Sequence, residues 1–207
     1  MLSEHTVRSY DEELKYLAQK IAEMGGHAER MVEQSVKALV SGDMDLAKRV
    51  VLDDQFLDDT QREIDEKAIM VIAKRQPMAS DLREIIGAIR ISGDLERVGD
   101  MGKNIAKRNF AVSETKHPLK IFRGLESLSS LAITQLSDVL DAYASRSVEA
   151  LDRVRNRDDE IDAMYTSLFR ELLTYMMEDP RNISSCTHLL FCAKNLARIG
   201  DHATNIA

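Results

Sequence analysis

An all-α fold of two tandem three-helix bundles is the prediction for this 207-residue chain, and three observations lead to it. Charged residues make up 30% of the chain while Gly and Pro number only 9 and 3 and Trp is absent, a balance that favours long helices over sheet or disorder. Helix-breaking punctuation is sparse and evenly spaced. The chain also repeats itself once at nearly constant offset, so whatever its first half builds, its second half builds again.

The breaks fall at Ser41-Gly42-Asp43, Gln76-Pro77, the polar stretch Ser113 to Pro118, Ala144 to Ser147, and Asp179-Pro180. A residue before proline is pushed out of the α region, which makes these helix boundaries. Six segments of roughly 25 to 35 residues remain, each about 40 to 50 Å long as a helix. Val50, Leu57, Ile64 and Val71 recur every seven residues in the second segment, and Val154, Ile161, Leu168 and Tyr175 in the fifth. This is the spacing of bundle packing. The third segment presents Ile91, Leu95, Val98, Gly102 and Ile105 as an inward stripe, and the sixth presents Leu196, Ile199, Ala203 and Ile206. The first and fourth align as AERMVEQSVKAL from Ala28 with AITQLSDVLDAY from Ala132, an offset of 104. Pro77 matches Pro180 at 103, and Gly99-Asp100 matches Gly200-Asp201 at 101. Residues 1–112 and 113–207 are the expected bundles, with up-down-up packing across short links.

The clearest repeated phrase is ISGDLERVGDMGKNIAKR, Ile91 to Arg108, echoed by CAKNLARIGDHATNIA, Cys192 to Ala207. At 100° per residue, Glu96 and Asp100 lie about 140° and 180° from the centre of their apolar stripe, facing away from their own core. The preceding helix of each half adds a pair at i, i+4: Asp54 with Asp58, and Asp158 with Asp162. Like charges at that spacing cost an isolated helix a few tenths of a kcal/mol, a cost met by solvent or by a cation. Carboxylate oxygens suit hard divalent ions and iron, so these residues form either a solvated face or a metal site. Gly99, Gly102 and Gly200 each cost a helix about 1 kcal/mol relative to Ala. Gly102 falls in the apolar stripe, where it admits a neighbouring backbone; Gly99 and Gly200 either do the same or leave room at the acid row.

A net charge of −7 and a pI near 5.3 exclude the concentrated positive field that nucleic-acid binding needs. The N-terminus lacks the basic and apolar regions of a signal peptide, and runs such as Ala68 to Ala73 fall far short of the ~20 residues of a membrane span. A cytoplasmic protein is expected, with Cys186 and Cys192 as free thiols. Carboxylate-rich bundles can house di-iron oxidases, but those use paired Glu-x-x-His motifs facing the bundle core. The five histidines, His5, His27, His117, His188 and His202, supply no such pair. A nucleophile with an adjacent base and a phosphate-cradling glycine loop are likewise missing, so no enzyme is expected.

Five blocks in order, HTVRSYDEEL, MGGHAERMVEQSVKAL, DDQFLDDTQREIDE, QPMASDLREIIGAIRISGDLERVGDMGKNIAKR and ARIGDHATNIA, resemble successive signatures of the PhoU family, bacterial regulators of phosphate signalling. The resemblance runs essentially end to end. It implies two similar three-helix bundles and a non-enzymatic role as negative regulator of the phosphate-starvation response. The implied partners are the ATPase subunit of the phosphate ABC transporter and the sensor histidine kinase of the phosphate system, with the membrane reached only through them. A homodimer is expected. Members also carry acidic motif pairs that bind divalent metal or iron clusters on the outer surface, which implies a first site of Asp54, Asp58, Glu96 and Asp100 and a second of Asp158, Asp162 and Asp201. The second departs from the family pattern because Ala197 replaces the counterpart of Glu96, so the first is expected to bind metal better, with His202 or Asn205 partly compensating in the second. Members usually continue the last helix past Asn205-Ile206-Ala207, so residues 203–207 are expected to be frayed or abnormally packed. The alternative is a helical scaffold or a metal-binding protein with no signalling role.

Overall fold

Why the six segments stay helical, and where they stop, follows from a handful of local interactions. The computed structural model describes residues 2–112, 119–147 and 151–207. The break expected at 113–118, with His117, lies outside them, as does the side chain of His5. The helices are α1 (Leu2–Ser41), α2 (Met44–Arg75), α3 (Ser80–Val112), α4 (Leu119–Ser145), α5 (Leu151–Glu178) and α6 (Ile183–Ile206), the last preceded by a 3₁₀ turn at Pro180–Asn182. No strand occurs among the described residues. The first helix runs 40 residues, longer than expected.

Gly42 turns the chain at φ +68°, and Asp43 then caps α2, its Oδ1 accepting the N–H groups of Asp45 (3.0 Å) and Leu46 (2.9 Å). Buried Asn109 of α3 donates to the carbonyls of Ala38 and Asp43, both at 3.1 Å, and so ties that turn to the third helix. At its other end α2 stops where Gln76 takes a left-handed conformation (φ 49°) and its N–H still reaches the Ile72 carbonyl. Pro77 follows and cannot continue the helix.

The heptad positions Val50, Leu57, Ile64 and Val71 are all buried, as are Val154, Ile161 and Leu168 of the fifth helix. Within each half every helix packs on the other two. The halves are also fused, since α3 lies along α6 and α1 along α4, and one apolar core runs through both. Polar contacts cross this seam as well. His202 Nδ1 is 2.8 Å from Asp94 Oδ1, and an Arg108 guanidinium nitrogen is 2.9 Å from His188 Nδ1. Both cysteines are free and buried, and burial pushes the Cys192 thiol up to about 12.

The last turn departs from expectation. Helix α6 continues through Ile206, Ala203 is fully buried, and Thr204 is hydrogen-bonded on two sides, which holds the turn helical.

Glycines set how closely the helices approach, among them Gly99 and Gly102 on α3 and Gly200 on α6. A Cβ on Gly102 would lie 3.4 Å from the carbonyl carbon of Met31, so α3 meets the backbone of α1 in ordinary contact. A Cβ on Gly99 would lie 2.1 Å from Leu57 Cδ1, so the missing side chain is what admits the fully buried Leu57 of α2. On Gly200 a Cβ would meet Ile161 Cδ1 and Gln135 Oε1 at 3.0 Å. Packing, not room at the acid row, is the use of Gly99 and Gly200. Gly87, by contrast, faces open space. Gly99→Ala should therefore lower stability by about 1–2 kcal/mol, overpacking outweighing helix propensity, whereas Gly87→Ala should raise it by about 0.5–1 kcal/mol. Urea melts of the two variants against wild type check both signs.

Candidate cation site: two acid rows

Leu57 brings α2 so close to α3 that the carboxylates beside it share a seam. Asp54, one turn before Leu57, is only 6% exposed, and Asp58 is half-buried. Across from them on α3, Glu96 and Asp100 are half-buried too. The expectation that these two face away from their own core needs correcting. They lie opposite the α3 stripe, but α2 packs along α3 and covers the side on which they stand.

Into this seam α3 sends a cation. Lys103, three residues beyond Asp100 and on the same face, donates from Nζ to Asp100 Oδ1 at 2.6 Å and to Asp54 Oδ2 in a still closer contact. Burial disfavours its ammonium, but the hydrogen bonds to Asp100 and Asp54 outweigh that and hold its pKa above the ordinary lysine range. Arg97 adds an exposed guanidinium, with Nη1 3.4 Å from Asp100 Oδ2 and Nε 3.4 Å from Glu96 Oε2. Glu96 is nonetheless raised above the usual carboxylate range, first by burial and then by the neighbouring charge of Asp100, with smaller contributions from Asp58 and Asp54.

The second row is assembled from the same positions with other chemistry. Asp158 is half-buried while Asp162 and Asp201 are exposed. Ala197, in the place of Glu96, is buried. Thr204 stands three residues beyond Asp201, as Lys103 does beyond Asp100, and its hydroxyl donates to Asp158 Oδ1 at 3.2 Å. The same hydroxyl accepts from Gln135 Nε2 at 3.1 Å, and that amide also donates to the Val154 carbonyl at 3.0 Å. His202 and Asn205 do not compensate for the lost carboxylate. Both turn instead to Asp94 of α3, at 2.8 and 3.5 Å, because α6 lies against α3 on that face.

Among the described residues no group of three His, Cys, Asp or Glu side chains stands ready to hold a metal ion. In the first row one oxygen of Asp54 and one of Asp100 are already taken by an ammonium. Lys103, Thr204 and Gln135 were missed in the sequence, although the i, i+3 spacing of Asp100 and Lys103 was there to be used.

Two acid rows on two fused three-helix halves are the geometry against which known proteins can be set. The PhoU domain, as a family model, matches residues 21–108 and again 125–207. The chain belongs to the PhoU family. A phosphate-specific transport system accessory protein PhoU homolog of Rhizobium meliloti is 67% identical over 203 residues, covering 98% of this chain and 86% of that one. The phosphate-specific transport system accessory protein PhoU of Escherichia coli is 37% identical over 206 residues, covering 99% and 85%. The crystal structure of PhoU from Pseudomonas aeruginosa superimposes with a TM-score of 0.91 at 36% identity, covering 95% of this chain and 94% of that one.

A carboxyl whose folded-state pKa is raised destabilises the fold only while it is ionised. Glu96→Gln should therefore raise the melting temperature near pH 7, and the gain should fade as the pH drops through the carboxylate range. Thermal melts in metal-free buffer between about pH 4 and 7.5 test this, and a gain that persists undiminished at the acid end would contradict the assignment.

Proposed function

We propose that this protein is a negative regulator of the phosphate-starvation response, coupling the phosphate ABC transporter to the sensor histidine kinase of the phosphate system and modulating phosphate uptake. The observation that supports it best is the family match in both halves, together with relatives named as accessory proteins of phosphate-specific transport. Its direct partners in this proposal are the ATPase subunit of the transporter, the kinase and a second copy of the chain. It works on the cytoplasmic side and reaches the membrane through these partners; among the described residues no helix is long and apolar enough to cross one. Exposed apolar side chains near the turn from α2 to α3, among them Ile69, Met70 and Met78, offer surface for protein contacts.

Metal binding belongs to the same proposal at the second row alone. Asp158, Asp162 and Asp201, which do not stand gathered around one point in this structure, would have to close on a divalent cation or iron to supply it carboxylate oxygens, and Thr204 brings no competing charge there.

Deletion of the gene in its own host, read with a phosphate-starvation reporter in rich phosphate, tests the regulatory role. The expected outcome is a reporter that fires despite abundant phosphate and falls silent again when the gene is restored. A reporter that stays silent in the deletion strain sinks the proposal.

A further inference from the structure

We infer that the first acid row takes no metal because it carries its own cation, the Lys103 ammonium. The inference concerns the cation chemistry of the rows and does not rest on the signalling role.

Lys103 bridges α2 and α3 by donating to one oxygen of Asp54 and one of Asp100. Its side chain is 20% exposed and that of Asp54 only 9%, so the pair sits inside the seam, where charges are weakly screened. A divalent ion bridging the two helices would have to share these carboxylates with the ammonium, and to take the oxygens that Lys103 holds it would have to break two charge-assisted hydrogen bonds and expel it.

The second row supplies an internal comparison. Two of its positions differ in charge from the first: Ala197 stands for Glu96 and Thr204 for Lys103. One carboxylate and one ammonium are thus absent together. Arg97 and Arg198 match, as do the remaining three aspartates of each row. The formal balance is the same in both halves. Glu96 adds one negative charge to the first row and Lys103, through Asp54 and Asp100, adds one positive charge, so the row with the fourth carboxylate is also the row with an ammonium of its own.

The test uses the full chain, stripped of metal, and Mn²⁺ as the probe. In a background carrying Asp158→Asn and Asp162→Asn, which silences the second row, equilibrium dialysis should find no Mn²⁺ bound, and adding Asp54→Asn with Asp100→Asn should change nothing. In the same background Lys103→Thr, which copies the second half, should create a site for about one Mn²⁺ per chain that Asp100→Asn removes again. Lys103→Met serves as a second opening variant, with circular dichroism reporting whether each folds. Mn²⁺ bound by the Lys103 protein and lost on changing Asp54 and Asp100 would overturn the inference, as would folded Lys103 variants that gain no site. Should neither variant fold, the Lys103 protein alone still decides: no bound Mn²⁺ upholds the inference, and bound Mn²⁺ sensitive to Asp54 and Asp100 refutes it. A failed reporter experiment would leave all of these values unchanged.

Discussion

Leu57 Cδ1 lies where a Cβ on residue 99 would have to be, and much of the first half depends on that contact. Because Gly99 has no side chain, α2 settles deeply against α3. The heptad Val50, Leu57, Ile64 and Val71 is then fully buried, and the stripe from Ile91 to Ile105 packs against it. The same approach carries Asp54 out of water. An isolated buried carboxylate is costly, and it survives in a folded protein when a partner is supplied within hydrogen-bonding reach. Lys103 is that partner. Tight packing of the two helices and the ammonium between their carboxylates are therefore two sides of one constraint: the closer the helices lie, the more the seam needs an internal cation.

The second half meets a milder form of the constraint. Gly200 again leaves room for a branched side chain, here Ile161, but Gln135 also enters the space with its amide oxygen. Its amide nitrogen and the Thr204 hydroxyl then form a neutral relay from the Val154 carbonyl to Asp158. A hydroxyl can stabilise a half-buried carboxylate by a hydrogen bond without a charge of its own. Asp162 and Asp201 stay in solvent. Duplication has kept the helix register and let the polar chemistry of the seam diverge.

The helices and their breaks were legible because local chemistry decides them. Gly42 with Asp43, Gln76 with Pro77, and Asp179 with Pro180 end or begin helices through effects that act within a few residues. The repeat and the buried heptads were legible for a similar reason, since periodicity is written along the chain. The orientation of Glu96 and Asp100 was misjudged because a helical wheel knows the stripe of its own helix and not the neighbour that covers its flank. Lys103 was legible in principle, since it stands at the i, i+3 step from Asp100 and Thr204 stands at the matching step from Asp201. The seam between the halves was out of reach. His202 finds Asp94 across 108 residues of chain, and Arg108 finds His188 across 80, distances at which no local pattern survives.

That seam also decides which residues are free to serve the acid rows. His202 and Asn205 flank the second row in sequence, and a carboxylate cluster short of one ligand would be completed by either. Both are engaged by Asp94, because α6 turns that edge towards α3 and the two halves share one core. Drawing His202 away would leave Asp94, whose side chain is 20% exposed, without the closer of these two partners. Removing one partner from a largely desolvated pair costs more than the pair contributes when intact. The interface between the halves thus holds the two polar side chains that flank the second row in sequence. The chemistry of a row is set as much by the opposite half of the molecule as by the helix that bears it.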